Sequence, residues 1–353
     1  MSSEDIWPPR EVWVGRWLLV VCALVVAMIL VGGATRLTDS GLSITEWDLT
    51  KGLTPPLTDA RWTEEFGLYQ RTVEFQEQNS EMTLAEFKYI YWWEWGHRFL
   101  GKVLGAVFLL PALFFFFTGR LRGRFRVTLA LFALGGLQGA IGWWMVTSGL
   151  FTGLDVSPVR LAIHLGMALI ILALGLWMAL GAFVWPREKG KLGLPRWAPV
   201  ALLVLIFIQV MLGAFLAGSR GGAAYADWPW IGGEWIPSTA FGLEPFWANF
   251  TEDHATQHLL HRTTGYIVAL AALVLALVSL FRGQGAARWT ALTVGGIALA
   301  QAGLGVLTVV SASPVSLSLA HQMVAVALWM ATVVAARAAW RQLSGVGKYR
   351  TFK

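Results

Sequence analysis

Eight apolar stretches, each close to 20 residues long, constrain the fold of this chain more than any other feature. An α-helix needs about 20 apolar residues to cross the hydrocarbon core of a bilayer. The stretches fall at 17–34, 95–118, 127–147, 161–185, 198–216, 258–281, 289–310 and 317–336. Because 56% of the 353 residues are hydrophobic and only 14% are charged, the composition excludes an ordinary soluble domain. We therefore predict an all-α polytopic membrane protein with eight transmembrane helices.

The distribution of charge predicts the orientation of these helices. Basic residues are concentrated in the connections 119–126, 186–196 and 281–288 and in the tail after residue 336. The positive-inside rule places these segments in the cytoplasm, so both termini are expected there and the long connections 36–93 and 217–257 outside. The net charge of +6 reflects this bias and gives no indication of nucleic-acid binding. Residues 1–16 are polar with mixed charge, so the first apolar stretch is predicted to be a span and not a cleaved signal peptide.

An internal repeat divides the chain into two halves. The matching motifs are His97-Arg98-x-x-Gly101 with His261-Arg262-x-x-Gly265, Gln138-x-x-x-Gly142 with Gln301-x-x-x-Gly305, and a Ser-Pro-Val triplet before His164 and before His321. We predict two pseudo-symmetric four-helix bundles, at 1–190 and 191–353, with histidines on the second and fourth helix of each. Since both repeats begin on the cytoplasmic side, they are parallel repeats related by an axis near the membrane normal.

Four histidines near the outer ends of the even-numbered stretches are the main candidate ligands: His97, His164, His261 and His321. Ionisable groups at membrane depth are rare and usually mark functional sites. Two histidines are too few for zinc, which takes three or four protein ligands, whereas heme needs only one or two axial ligands. The single Cys22 lies within the first stretch, where we expect it to pack, so no thiolate cluster is available. The sequence therefore predicts two bis-histidine heme sites, with a core imidazole bonded to a backbone carbonyl as the alternative for any one histidine.

The residues beside the histidines have both functional and structural interpretations. Gly101 and Gly265 share the helical face of their histidines, where a flat macrocycle could lie. Arg98 and Arg262 are expected at the membrane edge, where a guanidinium pairs with a porphyrin propionate or extends to lipid phosphate. The two Gln-x-x-x-Gly motifs also thin a helix face, for which plain helix packing is the more common use.

The repeat is broken at one position. Three residues before the histidine, the first half has Glu94 and the second half has His258. Position i−3 shares the histidine's face, so the first site is predicted to have a carboxylate near its bound group and the second is not. This difference favours proton or carbocation chemistry in the first half and electron transfer in the second. The alternative is that Glu94 only pairs with Arg98, and no role is predicted for His254 or His258.

At these residues the chain resembles the heme A synthases of proteobacteria and mitochondria. The resemblance rests on 32–43, on 82–88 running into Ile90-Tyr-Trp-Trp-Glu-Trp-Gly-His-Arg98, and on the later histidines, and it covers about 32–337. It implies an oxidoreductase that converts the C8 methyl of heme O, through an alcohol, to the formyl group of heme A for cytochrome oxidase, with water as the oxygen source.

The resemblance also implies roles for individual residues. The pair His261 and His321 would hold a heme b, the pair His97 and His164 would belong to the substrate heme site, and Glu94 would be the catalytic residue. Some bacterial members carry a cysteine pair in the first extracytoplasmic loop, which this chain lacks, so no thiol–disulfide step is assigned.

The resemblance places the protein in the bacterial inner membrane, among lipid, with its heme sites toward the extracytoplasmic side. Handover of heme O by heme O synthase, the protoheme farnesyltransferase, would avoid releasing a very apolar substrate into lipid. The electron acceptor and any homo-oligomer are left open. Two other functions also stay open, a diheme b-type cytochrome exchanging electrons with quinone and a heme carrier. The loop tryptophans are interpreted as an interfacial belt or as a lid over the heme, and they are Trp228, Trp230, Trp235 and Trp247.

Overall fold

The computed structural model describes residues 11–46, 52–152, 155–183 and 191–340. Within them the helices are α1 Val12–Leu37, α2 Asp59–Tyr69, α3 Val73–Gln78, α4 Leu84–Phe117, α5 Phe125–Thr152, α6 Pro158–Ala182, α7 Ala198–Gly218, α8 Ala248–Thr251, α9 His254–Arg282, α10 Gly285–Val310 and α11 Val315–Trp340. Eight of these are long and apolar enough to cross a membrane, all except α2, α3 and α8. The predicted all-α fold and the number of spans are thus confirmed. Parts of the predicted cytoplasmic segments, 186–190 and 341–353, lie outside the described residues.

Several helices begin before the apolar stretch that predicted them, because polar capping residues start them earlier. α4 begins at Leu84, where the Glu86 carboxylate accepts a hydrogen bond from the Thr83 backbone N–H at 2.8 Å and the Thr83 hydroxyl accepts one from the Glu86 N–H. α9 begins at His254, where the Asp253 carboxylate accepts from the Ala255 N–H at 3.0 Å. These first turns are polar, so a hydropathy pattern does not include them.

Each half of the chain forms a four-helix bundle. In the first half, α1 and α5 each contact both α4 and α6, so α4 and α6 lie diagonally across the bundle. In the second half, α7 and α10 each contact both α9 and α11, which places α9 and α11 on the corresponding diagonal. This arrangement satisfies the backbone hydrogen bonds within helices, as the interior of a bilayer requires. The histidine-bearing helices are therefore the diagonal pair in both bundles.

The two bundles share one packed interface. α6 contacts α7 and α11, and α11 also contacts α1, so the first and fourth helices of each half meet at the centre. Buried side chains from both halves form one cluster there, including Cys22, Leu169 and Trp329. The indole Nε1 of Trp329 donates to the main-chain oxygen of Leu169 at 3.0 Å. Since lipid tails are as apolar as the side chains, close packing and such hydrogen bonds hold membrane helices together.

The connections α1–α4, α5–α6, α7–α9 and α10–α11 lie together on one side of the molecule, which we call the capped side. There α2 and α3 pack against α4 through an aromatic cluster of Trp62, Tyr69, Phe87 and Tyr91. An ionic cluster joins the two halves on the same side, with Asp155 lying 3.1 Å from Arg36 and 2.9 Å from Arg220. The first connection is therefore a folded cover over the first bundle.

Candidate functional site

The four predicted histidines lie near the capped side, on the diagonal helices α4, α6, α9 and α11. The ring centroids of His261 and His321 are 6.4 Å apart and their planes are inclined by 71°. His97 and His164 lie on the equivalent diagonal helices, α4 and α6, of the first bundle. Each bundle therefore carries its own pair of histidines on facing helices.

The separation of His261 and His321 fits two axial ligands of one metal. With metal–nitrogen distances of about 2 Å on each side, an iron between two imidazoles would separate their centroids by about 6 Å. The observed 6.4 Å agrees with that value. Among the described residues, no group of three or more His, Cys, Asp or Glu side chains forms an alternative metal site. A porphyrin, which supplies the other four nitrogens itself, is the group that suits this pair.

A glycine on the neighbouring helix lies against each imidazole. A Cβ atom added at these glycines would meet the Cε1 atom of a histidine ring, and the distances are 2.6 Å for Gly32 to His97, 2.9 Å for Gly142 to His164, 2.9 Å for Gly213 to His261 and 3.0 Å for Gly305 to His321. The rings therefore occupy space that an alanine side chain would fill. Gly142 and Gly305 were expected to allow close approach of helices. Here each makes room for the imidazole of a histidine on the next helix.

A glutamine lies one turn before three of these glycines and contacts the same ring. In each case the amide Nε2 lies close to Nδ1 of the histidine. The distances are 3.2 Å from Gln138 to His164, 3.1 Å from Gln209 to His261, and 3.2 Å from Gln301 to His321. The sequence analysis identified two of the three motifs and missed Gln209-x-x-x-Gly213. Its identical spacing would have revealed it in a search for further copies of the pattern.

Gly101 and Gly265, predicted to present a flat face beside the histidines, lie against side chains of the preceding helix. An added Cβ would lie 3.7 Å from Cε of Met28 at Gly101 and 3.2 Å from Nε2 of Gln209 at Gly265. The two glycines thus have matching surroundings in the two halves, apart from the exchange of methionine for glutamine.

Glu94 is buried, with a relative exposure of 3%, and its carboxylate accepts hydrogen bonds from α4 itself and from the α1–α4 connection. One carboxylate oxygen accepts from the Ser43 hydroxyl at 2.7 Å and the Ile44 N–H at 2.8 Å, and the other accepts from Arg98 at 2.5 Å. The pairing with Arg98 that the sequence left open is therefore present. Since Glu94 precedes His97 by one helical turn, the pair also fixes a carboxylate beside the histidine.

Arg98 and Arg262 both bind main-chain oxygens of the capped-side connections. Arg98 donates to Ile44 at 3.0 Å and to Glu46 at 3.2 Å. Arg262 donates to three carbonyls of the α7–α9 connection, at distances of 3.1 Å for Tyr225, 2.9 Å for Asp227 and 2.8 Å for Trp230. Each arginine thus holds its connection against the bundle, at the position where a propionate partner is predicted.

The two histidines without a predicted role anchor the same connection. The Nε2 atom of His258 donates to the Gly221 carbonyl at 2.9 Å while its Nδ1 accepts from Arg262 at 3.0 Å, which fixes a neutral imidazole. His254 donates to the Ser219 carbonyl at 3.1 Å. His258 therefore takes the place of Glu94 in the second half as a partner of arginine and of a loop.

Comparison with known proteins identifies the family. The family model for COX15-CtaA cytochrome oxidase assembly proteins matches residues 15–333. A heme A synthase from Maricaulis maris (strain MCS10) is 47% identical over 331 residues, covering 93% of this chain and 96% of the relative. The heme A synthase of Bradyrhizobium diazoefficiens is 44% identical, covering 92% and 91%, and that of Parvibaculum lavamentivorans is 45% identical, covering 87% and 88%. The chain therefore belongs to the COX15-CtaA family of cytochrome oxidase assembly proteins.

Proposed function

We propose that this protein is a heme A synthase, which oxidises the C8 methyl of heme O through an alcohol to the formyl group of heme A. One observation carries the proposal beyond the names of the relatives. The two bundles hold equivalent histidine pairs, yet only the first has a buried carboxylate one turn from a ligand histidine. A protein that only passes electrons between two hemes has no need for this difference.

We assign the second bundle to a resident heme b, which His261 and His321 would hold. The 6.4 Å separation of the rings and the glycines Gly213 and Gly305 behind them support the assignment. When bound, such a group supplies one-electron transfer. The chain's own contribution is to exclude water and to fix the ligands between packed helices.

We assign the first bundle to the substrate, held by His97 and His164. Conversion of a methyl group to an alcohol with water removes two electrons and two protons, and positive charge develops next to the ring. The Glu94 carboxylate, fixed by Ser43 and Ile44, is suited to stabilise that charge and to hold the attacking water. Arg98 donates to the same carboxylate and holds it in place.

We further propose that 1–190 and 191–353 act as separate site-bearing units of one inner-membrane protein with its capped side outward. The basic connections on the opposite side support this orientation. Heme O synthase is the proposed donor of substrate. The electrons removed from heme O pass to an acceptor outside this chain.

The test is pigment analysis after expression in a host that makes heme O but lacks its own heme A synthase. We expect heme A or its alcohol precursor with the wild-type chain. His97→Ala and His164→Ala are expected to retain heme b and to yield little heme A, because only the substrate site is altered. Unchanged heme O with heme b favours a diheme cytochrome, and unchanged heme O alone favours a carrier.

A further inference from the structure

One local arrangement occurs four times in the protein. The helix pairs are α1 with α4, α5 with α6, α7 with α9, and α10 with α11, and in each the first helix places a glycine against the histidine of the second. Three of the first helices carry a glutamine one turn before the glycine. The fourth, α1, carries Met28 before Gly32. His97 is therefore the one member of the four that has no glutamine neighbour of this kind.

Each glutamine places its amide nitrogen within 3.5 Å of both ring nitrogens of its histidine. For Gln138 the distances from Nε2 to the two ring nitrogens of His164 are 3.2 and 3.4 Å, and for Gln301 both distances to His321 are 3.2 Å. Nε2 of Gln138 and Nε2 of Gln209 also donate to the main-chain oxygen of the same histidine at 3.0 Å, so the amide is anchored on the residue whose ring it contacts. Such a contact opposes rotation of the imidazole.

The glutamines also carry an unused hydrogen-bond acceptor. Oε1 of Gln138, Gln209 and Gln301 is buried and has no partner among the described residues. An imidazole that binds a metal through one nitrogen carries N–H on the other and is normally held by an acceptor there. The terminal torsion of glutamine is broad, so rotation of the amide would present Oε1 to the ring in exchange for the bond that Nε2 makes.

His97 lacks both forms of support. Cε of Met28 lies 3.7 Å from the Cβ position of Gly101, just as Nε2 of Gln209 lies 3.2 Å from that of Gly265, so Met28 occupies the place of a glutamine. A thioether has no donor and is only a weak acceptor. In agreement, Nδ1 of His97 is buried and has no hydrogen-bond partner within the described part of the chain.

We propose that Met28 makes His97 the weakly held, exchangeable ligand of the substrate heme, and that Gln138, Gln209 and Gln301 are positioning residues for the other three histidines. The inference rests on the proposed function, because it concerns ligation of heme. It gives a physical reason for a difference that the proposed function requires. The substrate site has one firm and one loose ligand and releases its product, whereas the second site has two firm ligands and keeps its heme.

The experiment places glutamine at the methionine position, with Met28→Gln, and methionine at a glutamine position, with Gln209→Met. Protein loaded with heme O and heme b is mixed with excess apomyoglobin, and the transferred pigments are separated by chromatography, so that each site is followed on its own. Loss of a partner to a ligating histidine typically costs 10–100-fold in affinity. Met28→Gln is therefore expected to slow heme O transfer about tenfold or more. Gln209→Met is expected to speed heme b transfer by a similar factor and to weaken the low-spin ferric spectrum.

Met178→Gln is the matched control for a new amide in a membrane helix. Met178 packs against a separate apolar cluster, about 20 Å along α6 from His164, so both transfer rates should match the wild type. If Gln209→Met does not fold, Gln301→Met asks the same question at His321. Wild-type protein that binds both hemes, with unchanged transfer rates in the exchanged variants, would overturn the inference and leave the proposed function standing. Wild-type protein that binds no heme would instead overturn the proposed function.

Discussion

At the scale of single residues, the two halves use equivalent positions for different chemistry. Glu94 and His258 each accept a hydrogen bond from an arginine one turn later, and each contacts a connection on the capped side. Both residues are structural anchors, but only Glu94 brings a negative charge. Pairing with the arginine explains why both halves have a hydrogen-bond acceptor at this position. The charge is what sets the first half apart.

Glu94→Gln tests whether that charge is used. Glutamine keeps the shape and the acceptor oxygen but removes the charge, so we expect heme b to be retained and heme A formation to fall about 100-fold or more. Rates of heme A and alcohol formation at equal heme content measure the effect. Ser43→Ala, which removes the 2.7 Å hydrogen bond and leaves the charge, should cost less than about tenfold. An equal loss of heme A formation in the two variants would show that Glu94 has only a structural role.

His261→Ala tests the resident site. Removal of one axial ligand is expected to abolish the low-spin bis-histidine spectrum of heme b, measured by visible and EPR spectroscopy of the purified protein. His254→Ala is the matched control, because His254 lies on the same helix but contacts the Ser219 carbonyl. A normal low-spin spectrum and full heme content in His261→Ala would refute the assignment.

At the scale of elements, the short helices α2 and α3 form a cover that contains one buried acid. Glu74 on α3 has a relative exposure of 4%, and its Oε2 has no partner among the described residues. Burial, with smaller effects of the acids Glu94, Asp155 and Asp39, raises the pKa of Glu74 to about 7, although its hydrogen bond with Tyr69 acts in the opposite direction.

The raised pKa of Glu74 predicts a pH-dependent cover. Because the folded pKa lies above the ordinary 4.5, protonated Glu74 stabilises the fold fully below pH 4.5, and this contribution is lost as the pH rises through about 7. Relative to Glu74→Gln, the wild type should lose about 3 kcal/mol over that range. Melting temperatures of both proteins from pH 5 to 8 measure the difference. The exposed Glu77→Gln should instead follow the wild type, and a constant difference between wild type and Glu74→Gln would contradict the prediction.

At the scale of the whole molecule, the two bundles are joined by one core. Trp329 of α11 is buried, donates to Leu169 of α6, and lies 6.0 Å from the ring of Phe207 on α7. One side chain therefore connects three helices from both halves. Packing of this kind makes the halves interdependent in stability even though each carries its own histidine pair.

Trp329→Ala is expected to destabilise both halves together. A cavity at a buried tryptophan costs about 3–5 kcal/mol. Thermal unfolding should shift to lower temperature as one transition, whether followed by heme b absorbance or by tryptophan fluorescence. Trp143→Ala removes a side chain that is 48% exposed and should shift the transition much less. Two separate transitions in Trp329→Ala would show that the bundles unfold independently.

The sequence by itself determined the eight spans, the duplication, the four histidines and the Glu94–His258 difference. Hydrophobic length and motif spacing are local properties, and a bilayer leaves few folds for them. Only the tertiary structure decided which atoms meet. Contacts between separate segments of the chain brought the glycines against the histidine rings, Gln209 of α7 against His261, and the loop carbonyls against Arg262. They also placed Met28 where the other half has a glutamine. Such contacts follow from the mutual rotation of packed helices, which helical periodicity along one segment does not specify.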